Sequence, residues 1–217
     1  MKNSSSPCAL ILAAGESSRM GTDKALLPWP PSAPGATAPP GHTLLSAAIL
    51  ALKPHTHAIV VVAGENAGAV APIVSSHGAF LVRNPAPERG QFSSLQVGLR
   101  EILARGFDAA MITPVDCPPL SAASLELLCA SFQHALARGL WAVAPENNGR
   151  HGHPLLVSRE LIDGFLHAPV TSSAREIVRA HAERIEYVPV PDLLARAGLN
   201  TPEDYAALAA KTPPPVR

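Results

Sequence analysis

Short apolar runs alternate with segments of helical periodicity along this chain, and that alternation limits the folds open to it. The first run, CALILA at 8–13, is uninterrupted, as expected of a strand covered on both faces. A helical pattern follows at 43–52, and a second apolar run follows at 58–64. Strand–helix–strand order repeated in this way predicts an α/β fold, with a mostly parallel sheet and helices on both faces.

The same alternation continues towards the end of the chain. It predicts further strands at 79–82, 108–115, 141–145, 154–157 and 183–190. It predicts further helices at 67–77, 92–103, 121–136, 159–166, 172–181 and 201–211. Ligands of such folds collect at the carboxyl ends of the strands, so the residues that follow each strand are the candidates for a functional site.

Length and charge indicate one domain of ordinary size over residues 1–217. Seventeen basic residues balance seventeen acidic ones, so no bulk charge attracts nucleic acid or an anionic membrane. The three cysteines include no C-x-x-C pair, which argues against a disulfide framework or structural zinc and favours a reducing cytoplasm. The apolar run near the N-terminus is too short to span a bilayer, and we expect no signal peptide.

Proline is concentrated in two stretches of the chain. Six of the 23 prolines lie between Pro28 and Pro40, and three lie in the final TPPPVR. Proline lacks a backbone donor and fixes φ, so neither stretch suits a helix or a central strand. We expect an exposed insert loop at 28–41 and a flexible tail at 212–217.

The first cluster at a strand end is AAGESSRMGTDK, at 13–24. Its glycine and lysine spacing fits neither a Walker A loop nor G-x-G-x-x-G. Gly15 and Gly21 leave a turn whose amides can face an anion, and Arg19 and Lys24 add a guanidinium and an ammonium. A solvated loop with two surface cations is the alternative. Because the chain has only four lysines, the placement of one here favours phosphate binding.

Two further clusters contain candidate oxygen ligands for a metal. Asp116 ends the apolar strand at 108–115, where its carboxylate either holds a hard cation such as Mg²⁺ or caps a turn beside the prolines. In GLNTPEDY, Thr201 and Pro202 form a well-defined helix start. A role in starting the helix accounts for the residues that form this motif. It does not account for Asn200, which is therefore a candidate second metal ligand.

Small polar residues follow the third strand and occupy a later loop. Gly90, Ser93 and Ser94 open a helix, where they suit a base edge or ribose, although a plain helix cap explains them better when they are taken alone. In GRHGHPLL, two close histidines form only a weak zinc pattern, because no third ligand lies nearby. His153 beside Gly152 fits better as a loop residue that contacts a substrate.

Together these clusters resemble the MobA-like NTP transferase family, which includes the molybdenum cofactor nucleotidyltransferases. The family pattern LAAG-x-S-x-R-M-G-x-x-K is matched at 12–24, and N-P…G-x-x-S-S-L is matched at 84–95. D-x-P falls at 116–118, G-H-P at 152–154 and N-T-P-E-D at 200–204. The matches follow the order of the family over nearly the whole chain.

The resemblance implies a Rossmann-like sheet of the nucleotide-diphospho-sugar transferase type and a Mg²⁺-dependent nucleotidyltransferase. It implies catalytic roles for Arg19, Lys24 and Asp116, with the metal held by Asp116 and Asn200. The nucleotide-binding residues that it implies are Leu12, Ala13, Ala14, Gly15, Gly21, Asn84, Gly90, Ser93 and Ser94. The acceptor is expected to contact Gly152 and His153.

Within the family the chain is most similar to the molybdenum cofactor cytidylyltransferases, which tend to read LAAG where guanylyltransferases read LAGG. The expected reaction transfers CMP from CTP to the terminal phosphate of molybdopterin and releases pyrophosphate, and a molybdoenzyme receives the product. Asn200 departs from the D-x-D-T-P of cytidylyltransferases and matches the guanylyltransferases, so GTP stays open. The same chemistry on a sugar-phosphate acceptor is a further alternative. A non-catalytic carrier that binds nucleotide or molybdopterin is the alternative from another class.

Overall fold

A computed structural model of the chain describes residues 7–15, 20–31 and 42–209. Arg19, most of the predicted insert loop at 28–41 and the predicted tail at 212–217 therefore lie outside the described residues. Each helix within the described ranges is too short or too polar to span a lipid bilayer.

Eight strands of the described residues form one sheet. Their bounds are β1 Cys8–Ala13, β2 Ile59–Ala63, β3 Phe80–Arg83, β4 Ala109–Pro114, β5 Ala142–Asn147, β6 Arg150–His151, β7 Leu155–Ser158 and β8 Ile185–Pro189. The order across the sheet is β3-β2-β1-β4-β7-β5-β6, and β8 pairs with β5. The pairs β1–β2, β1–β4, β2–β3 and β5–β8 are parallel, so the predicted mostly parallel sheet is confirmed.

Seven α-helices within the described ranges cover both faces of the sheet. Their bounds are α1 Leu44–Leu52, α2 Ala67–Ser76, α3 Gln91–Ala104, α4 Ala122–Ala137, α5 Arg159–His167, α6 Ala174–Ala180 and α7 Pro202–Ala209. Ala9 and Ile11 of β1 belong to the buried cluster of α1, α2 and α4, whereas Cys8 and Leu10 belong to that of α3 and α5. Burial on both faces explains why this strand reads as an unbroken apolar run.

One part of the sheet departs from uniform strand–helix alternation. β7 runs antiparallel to β4 and β5, and the short strand β6 pairs with β5 in a hairpin. The hairpin turn is Asn148-Gly149, whose φ angles of 51° and 71° suit a two-residue type I′ turn. Parallel neighbours need a long crossover connection, which is usually a helix. The described segment between β5 and β7 contains no helix, so these two strands pair in the antiparallel direction. The Asn-Gly pair is the sequence signal that indicates this hairpin.

Candidate active site

The segments that follow β1 and β4 lie side by side, because these two strands are parallel neighbours. Together with the start of α3 they line a cavity of about 470 Å³ at the carboxyl ends of the strands, which we call the inner cavity. The lining residues are Leu12, Ala13, Ala14, Gly15, Asp23, Lys24, Pro87, Glu88, Gly90, Gln91, Ser94, Pro114, Val115, Asp116 and Asn200.

Lys24 lies between the two predicted metal ligands. Its Nζ donates to Oδ2 of Asp116 at 2.9 Å and to Oδ1 of Asn200 at 3.4 Å. The side chains of Lys24 and Asp116 are 12% and 27% exposed, so solvent screens this ion pair less than a surface pair. Carboxylate and amide oxygens are ligands that Mg²⁺ accepts, and these two already converge on one positive charge. The donor set therefore fits a divalent cation.

Backbone contacts hold Asn200 beside Asp116, although the two residues are far apart in the sequence. The N–H of Leu199 donates to the carbonyl of Asp116 at 2.9 Å. One carboxylate oxygen of Asp204 accepts from the N–H groups of Asn200 and Thr201, both at 2.9 Å, and these bonds lower the pKa of Asp204. The predicted helix start is confirmed as that of α7, and its cap fixes the position of Asn200.

Asn66 connects the inner cavity to the end of β2, and its role was not predicted from the sequence. Its Nδ2 donates to the carbonyl of Ala13 at 2.9 Å and to Oδ2 of Asp23 at 2.7 Å. Its Oδ1 accepts from the N–H of Gly64 at 3.1 Å. Asp23 in turn accepts from the N–H of Ala25 at 2.9 Å. Asn66 therefore ties together the two ends of the predicted phosphate-binding turn.

Asn84 and Ser93, two of the expected nucleotide-binding residues, form a buried network and do not line the inner cavity. Nδ2 of Asn84 donates to the hydroxyls of Ser93 and Ser94 at 2.9 Å each, and Oδ1 of Asn84 accepts from the N–H of Ala86 at 3.0 Å. The hydroxyl of Ser93 donates to the carbonyl of Gly90 at 2.7 Å. Because neighbouring groups use these polar atoms, the network shapes the loop before α3, and Ser94 is the serine that reaches the cavity wall.

The remaining predicted residues divide between the two sides of the site. Those that line the inner cavity are Leu12, Ala13, Ala14, Gly15, Lys24, Gly90, Ser94, Asp116 and Asn200. Gly152 and His153 line a neighbouring cavity. Gly21 lies in an exposed turn with a φ of 69°, a conformation that favours glycine, and is not part of the inner cavity wall.

This neighbouring cavity, which we call the outer cavity, has a volume of about 1080 Å³ and shares part of its wall with the inner one. The shared residues are Leu12, Gly90, Gln91 and Pro114. Four exposed arginines line the outer cavity, namely Arg89, Arg150, Arg175 and Arg179. Its described lining includes no aspartate or glutamate, and within the described residues none of the four arginines forms an ion pair. A cavity with this charge suits an anion.

The β5–β6 hairpin contributes a second feature of the outer cavity. The ring of His151 stacks on that of Tyr187, with centroids 3.5 Å apart and planes 10° apart.

The described residues contain no group of three or more histidines, cysteines, aspartates or glutamates that could hold a metal, so they offer no zinc site for His151 and His153. Burial lowers the pKa of His153, and its Nδ1 has no hydrogen-bond partner among the described residues.

Close packing requires a glycine at position 152. A Cβ on Gly152 would lie 1.6 Å from the carbonyl oxygen of Ala195, and a backbone oxygen cannot move aside as a side chain can. We expect Gly152→Ala to lower the free energy of unfolding by about 2 kcal/mol or more, measured by urea denaturation. Gly68→Ala is the control, because a Cβ there has no described atom within 4 Å and alanine favours the helix α2. Equal stability of the two variants would contradict the packing argument.

Cys117 follows Asp116 directly, but its environment does not suit a nucleophile. Burial, and then the carboxylate of Asp116, raise the pKa of the Cys117 thiol to about 12. Because the raised pKa keeps the thiol protonated, we expect iodoacetamide at pH 8 to alkylate Cys117 more slowly in the native protein than in the urea-unfolded chain. Mass spectrometry of the Cys117 peptide measures both rates. Faster alkylation of the native protein would show an activated thiol.

Residues 9–185 match the model of the MobA-like NTP transferase domain, a span that includes all of β1 but its first residue, β4, and the motif residues Lys24 and Asp116. The chain belongs to this family. The solved structure of Rv0371c from Mycobacterium tuberculosis H37Rv superposes with a TM-score of 0.76 at 21% identity, over 95% of this chain and 98% of that one. That likeness supports the fold, with the mostly parallel sheet flanked by helices.

Two relatives by sequence have names that specify a reaction. Molybdenum cofactor guanylyltransferase of Xanthomonas euvesicatoria pv. vesicatoria (strain 85-10) is 37% identical over 127 residues, which are 58% of this chain and 54% of that protein. The match therefore spans about half the length of that relative. A probable molybdenum cofactor guanylyltransferase of Mycobacterium avium (strain 104) is 29% identical over 211 residues, 96% of this chain and 98% of that protein.

Proposed function

We propose that this chain is a nucleotidyltransferase that transfers GMP from GTP to the terminal phosphate of molybdopterin and releases pyrophosphate. The observation that carries the proposal is the junction of the two cavities. A charged inner cavity built from the family motifs adjoins an outer cavity lined by arginines. Their shared wall, which includes Gly90 and Gln91, lets a nucleotide in one cavity meet a phosphate held in the other.

The inner cavity suits the triphosphate of the nucleotide. Among the described residues, none lies within 4 Å of the place that a Cβ on Gly15 would take, so the backbone there has room for a ligand to approach. Lys24 supplies an ammonium that can neutralise charge on the departing pyrophosphate. Asp116 and Asn200 would hold Mg²⁺, which when bound neutralises phosphate oxygens as a Lewis acid. Phosphoryl chemistry of this kind needs positioning and charge more than covalent help from the protein.

Two observations support GTP over the CTP expected from the LAAG motif. The two relatives described above are named guanylyltransferases. Glu88 on the inner cavity wall offers a carboxylate that can accept from N1–H and N2–H₂ of guanine together, whereas the pairing edge of cytosine carries a single donor group. The guanylyl alternative therefore replaces the cytidylyl reaction as the proposal.

The outer cavity suits an acceptor that combines a phosphate with a flat ring. Arg175 and Arg179 lie four residues apart on α6, so both project from one face of that helix. Arginine binds phosphate oxygens through a planar fork of donors. The stacked rings of His151 and Tyr187 add a flat surface of the kind that a pterin can contact.

Removal of the two helix arginines should weaken acceptor binding selectively. We expect Arg175→Gln/Arg179→Gln to raise KM for molybdopterin by about a hundredfold or more, because two charged hydrogen bonds of about 1.5–3 kcal/mol each are lost. The KM for GTP should change by less than about threefold, since neither arginine lines the inner cavity. Arg100→Gln, an exposed α3 arginine outside both cavities, is the matched control for initial-rate kinetics. An equal rise in both KM values would contradict this division of the site.

Pyrophosphate release tests the proposed reaction itself. With Mg²⁺, GTP and molybdopterin the wild-type protein should release pyrophosphate, and omission of molybdopterin should abolish the release. Tight binding of GTP and molybdopterin without any release would contradict a transferase and support a carrier that binds both. Release that needs a sugar phosphate in place of molybdopterin would overturn the proposed acceptor.

A further inference from the structure

We propose that Lys24 and a divalent cation compete for the same two oxygens, so that the cation binds well only after a nucleotide has drawn Lys24 away. The role of the nucleotide rests on the proposed function, whereas the competition rests on the contacts of Lys24. The consequence is a coupled site, in which the triphosphate and the metal each favour the binding of the other.

The contacts of Lys24 carry the first step. Its Nζ contacts Oδ2 of Asp116 and Oδ1 of Asn200, at 2.9 and 3.4 Å. A divalent ion bound to both oxygens would have to lie where Nζ lies or directly beside it. Two cations at such a separation repel each other, and more strongly at a pair that is partly shielded from solvent. Metal binding therefore requires the ammonium to leave.

The local backbone lets the ammonium leave without unfolding the loop. Lys24 opens a short 3-10 turn, Lys24–Leu26, that Asp23 caps through the N–H of Ala25. Asn66 also holds Asp23 in place, so the backbone beside Lys24 is fixed. Lys24 lines the inner cavity, which gives its flexible four-carbon side chain space to change rotamer. Displacement of Lys24 is thus a side-chain movement.

A triphosphate is the ligand that can cause this movement. It presents several negative charges within the inner cavity, whereas Asp116 offers one carboxylate to Lys24. Once Lys24 contacts phosphate, Asp116 is left with an uncompensated, partly buried charge, which a cation stabilises. The free protein should accordingly bind divalent cations weakly.

Titration with Mn²⁺ alone, followed by electron paramagnetic resonance in the absence of nucleotide, tests the competition. We expect Lys24→Met to bind Mn²⁺ about tenfold more tightly than the wild type, because the variant removes the competing ammonium. Lys24→Met/Asp116→Asn should lose this gain, since the carboxylate is also gone. Arg89→Met is the matched control, because it removes a cation from the adjoining cavity without touching the oxygen pair.

The outcomes separate this proposal from the proposed function. An unchanged Mn²⁺ affinity in Lys24→Met, or an equal gain in Arg89→Met, would overturn the competition. Calorimetric titration of the wild type with GTP in EDTA tests the nucleotide independently. GTP binding without any Mn²⁺ gain would leave the proposed function standing and refute the competition, and the reverse pattern would refute the proposed nucleotide alone.

A measurement on the wild-type protein tests the competition even if the Lys24 variants do not fold. The chain has four lysines, so mass spectrometry can follow the acylation of Lys24 separately from that of Lys53. Saturating Mn²⁺ should speed acylation of Lys24 by an N-hydroxysuccinimide ester, because its amine leaves the ion pair. Lys53, which donates to the carbonyl of His77 at the surface, should react at an unchanged rate. An unchanged rate at Lys24 would overturn the proposal.

Discussion

Asp116→Ala should lower kcat/KM for nucleotidyl transfer by about a thousandfold or more, the largest loss that we expect from any single side chain. Asp116 follows β4, and its carboxylate both contacts Lys24 and supplies the charged oxygen of the candidate cation site. The other aspartate of the inner cavity, Asp23, cannot replace it, because its oxygens accept from Asn66 and Ala25. Initial rates of pyrophosphate release with GTP and molybdopterin measure the loss.

Asp108→Ala provides the matched control for that variant. Asp108 precedes the same strand at its opposite end, where it is half exposed and pairs with Arg159. We expect its removal to change the rate by less than about twofold. The fold should survive Asp116→Ala, since the bond from Leu199 is to the main-chain carbonyl of Asp116. A well-folded Asp116→Ala protein within tenfold of wild-type activity would contradict the assigned role.

Lys24→Ala should lower kcat by about a hundredfold to a thousandfold, because the ammonium opposes charge that grows on the leaving pyrophosphate. Lys24→Arg should recover little of the loss, since a planar guanidinium differs from a compact ammonium in shape and reach. Single-turnover rates at saturating GTP separate this loss from weaker binding.

Lys53→Ala is the control for Lys24→Ala. Lys53 follows α1 at the surface, away from both cavities, and its replacement should leave the rate within about twofold. Near-normal turnover in Lys24→Ala would refute the phosphate role that the sequence and the inner cavity both indicate.

The fold follows from the sequence where burial dictates the pattern. A strand covered on both faces must be largely apolar; β1 and β2 are apolar throughout, and β4 is apolar except for Thr113. The antiparallel β7 was not predicted, because its apolar run has the same composition as a parallel strand. Only the Asn148-Gly149 turn and the lack of a helical pattern before β7 distinguish the two cases.

The candidate site follows from the sequence only in part. Residues directly after strands could be placed together, because parallel strands end at one edge of the sheet. The ion pair of Lys24 with Asp116 could not be predicted, since it depends on how a side chain turns after folding. The family motif predicts that Asn84 binds the nucleotide, but its side-chain amide donates to the buried hydroxyls of Ser93 and Ser94. The four arginines of the outer cavity come from separate segments that only the tertiary fold brings together.

Competition between GTP and CTP identifies the nucleotide that the protein uses. The wild-type protein, Mg²⁺ and molybdopterin are incubated with both nucleotides at equal concentration, and mass spectrometry identifies the product. The proposed function predicts the GMP conjugate of molybdopterin, one pyrophosphate for each conjugate, and neither product with Asp116→Ala. The CMP conjugate would contradict the choice of guanine, and the absence of both conjugates from the wild-type reaction would contradict nucleotidyl transfer to molybdopterin.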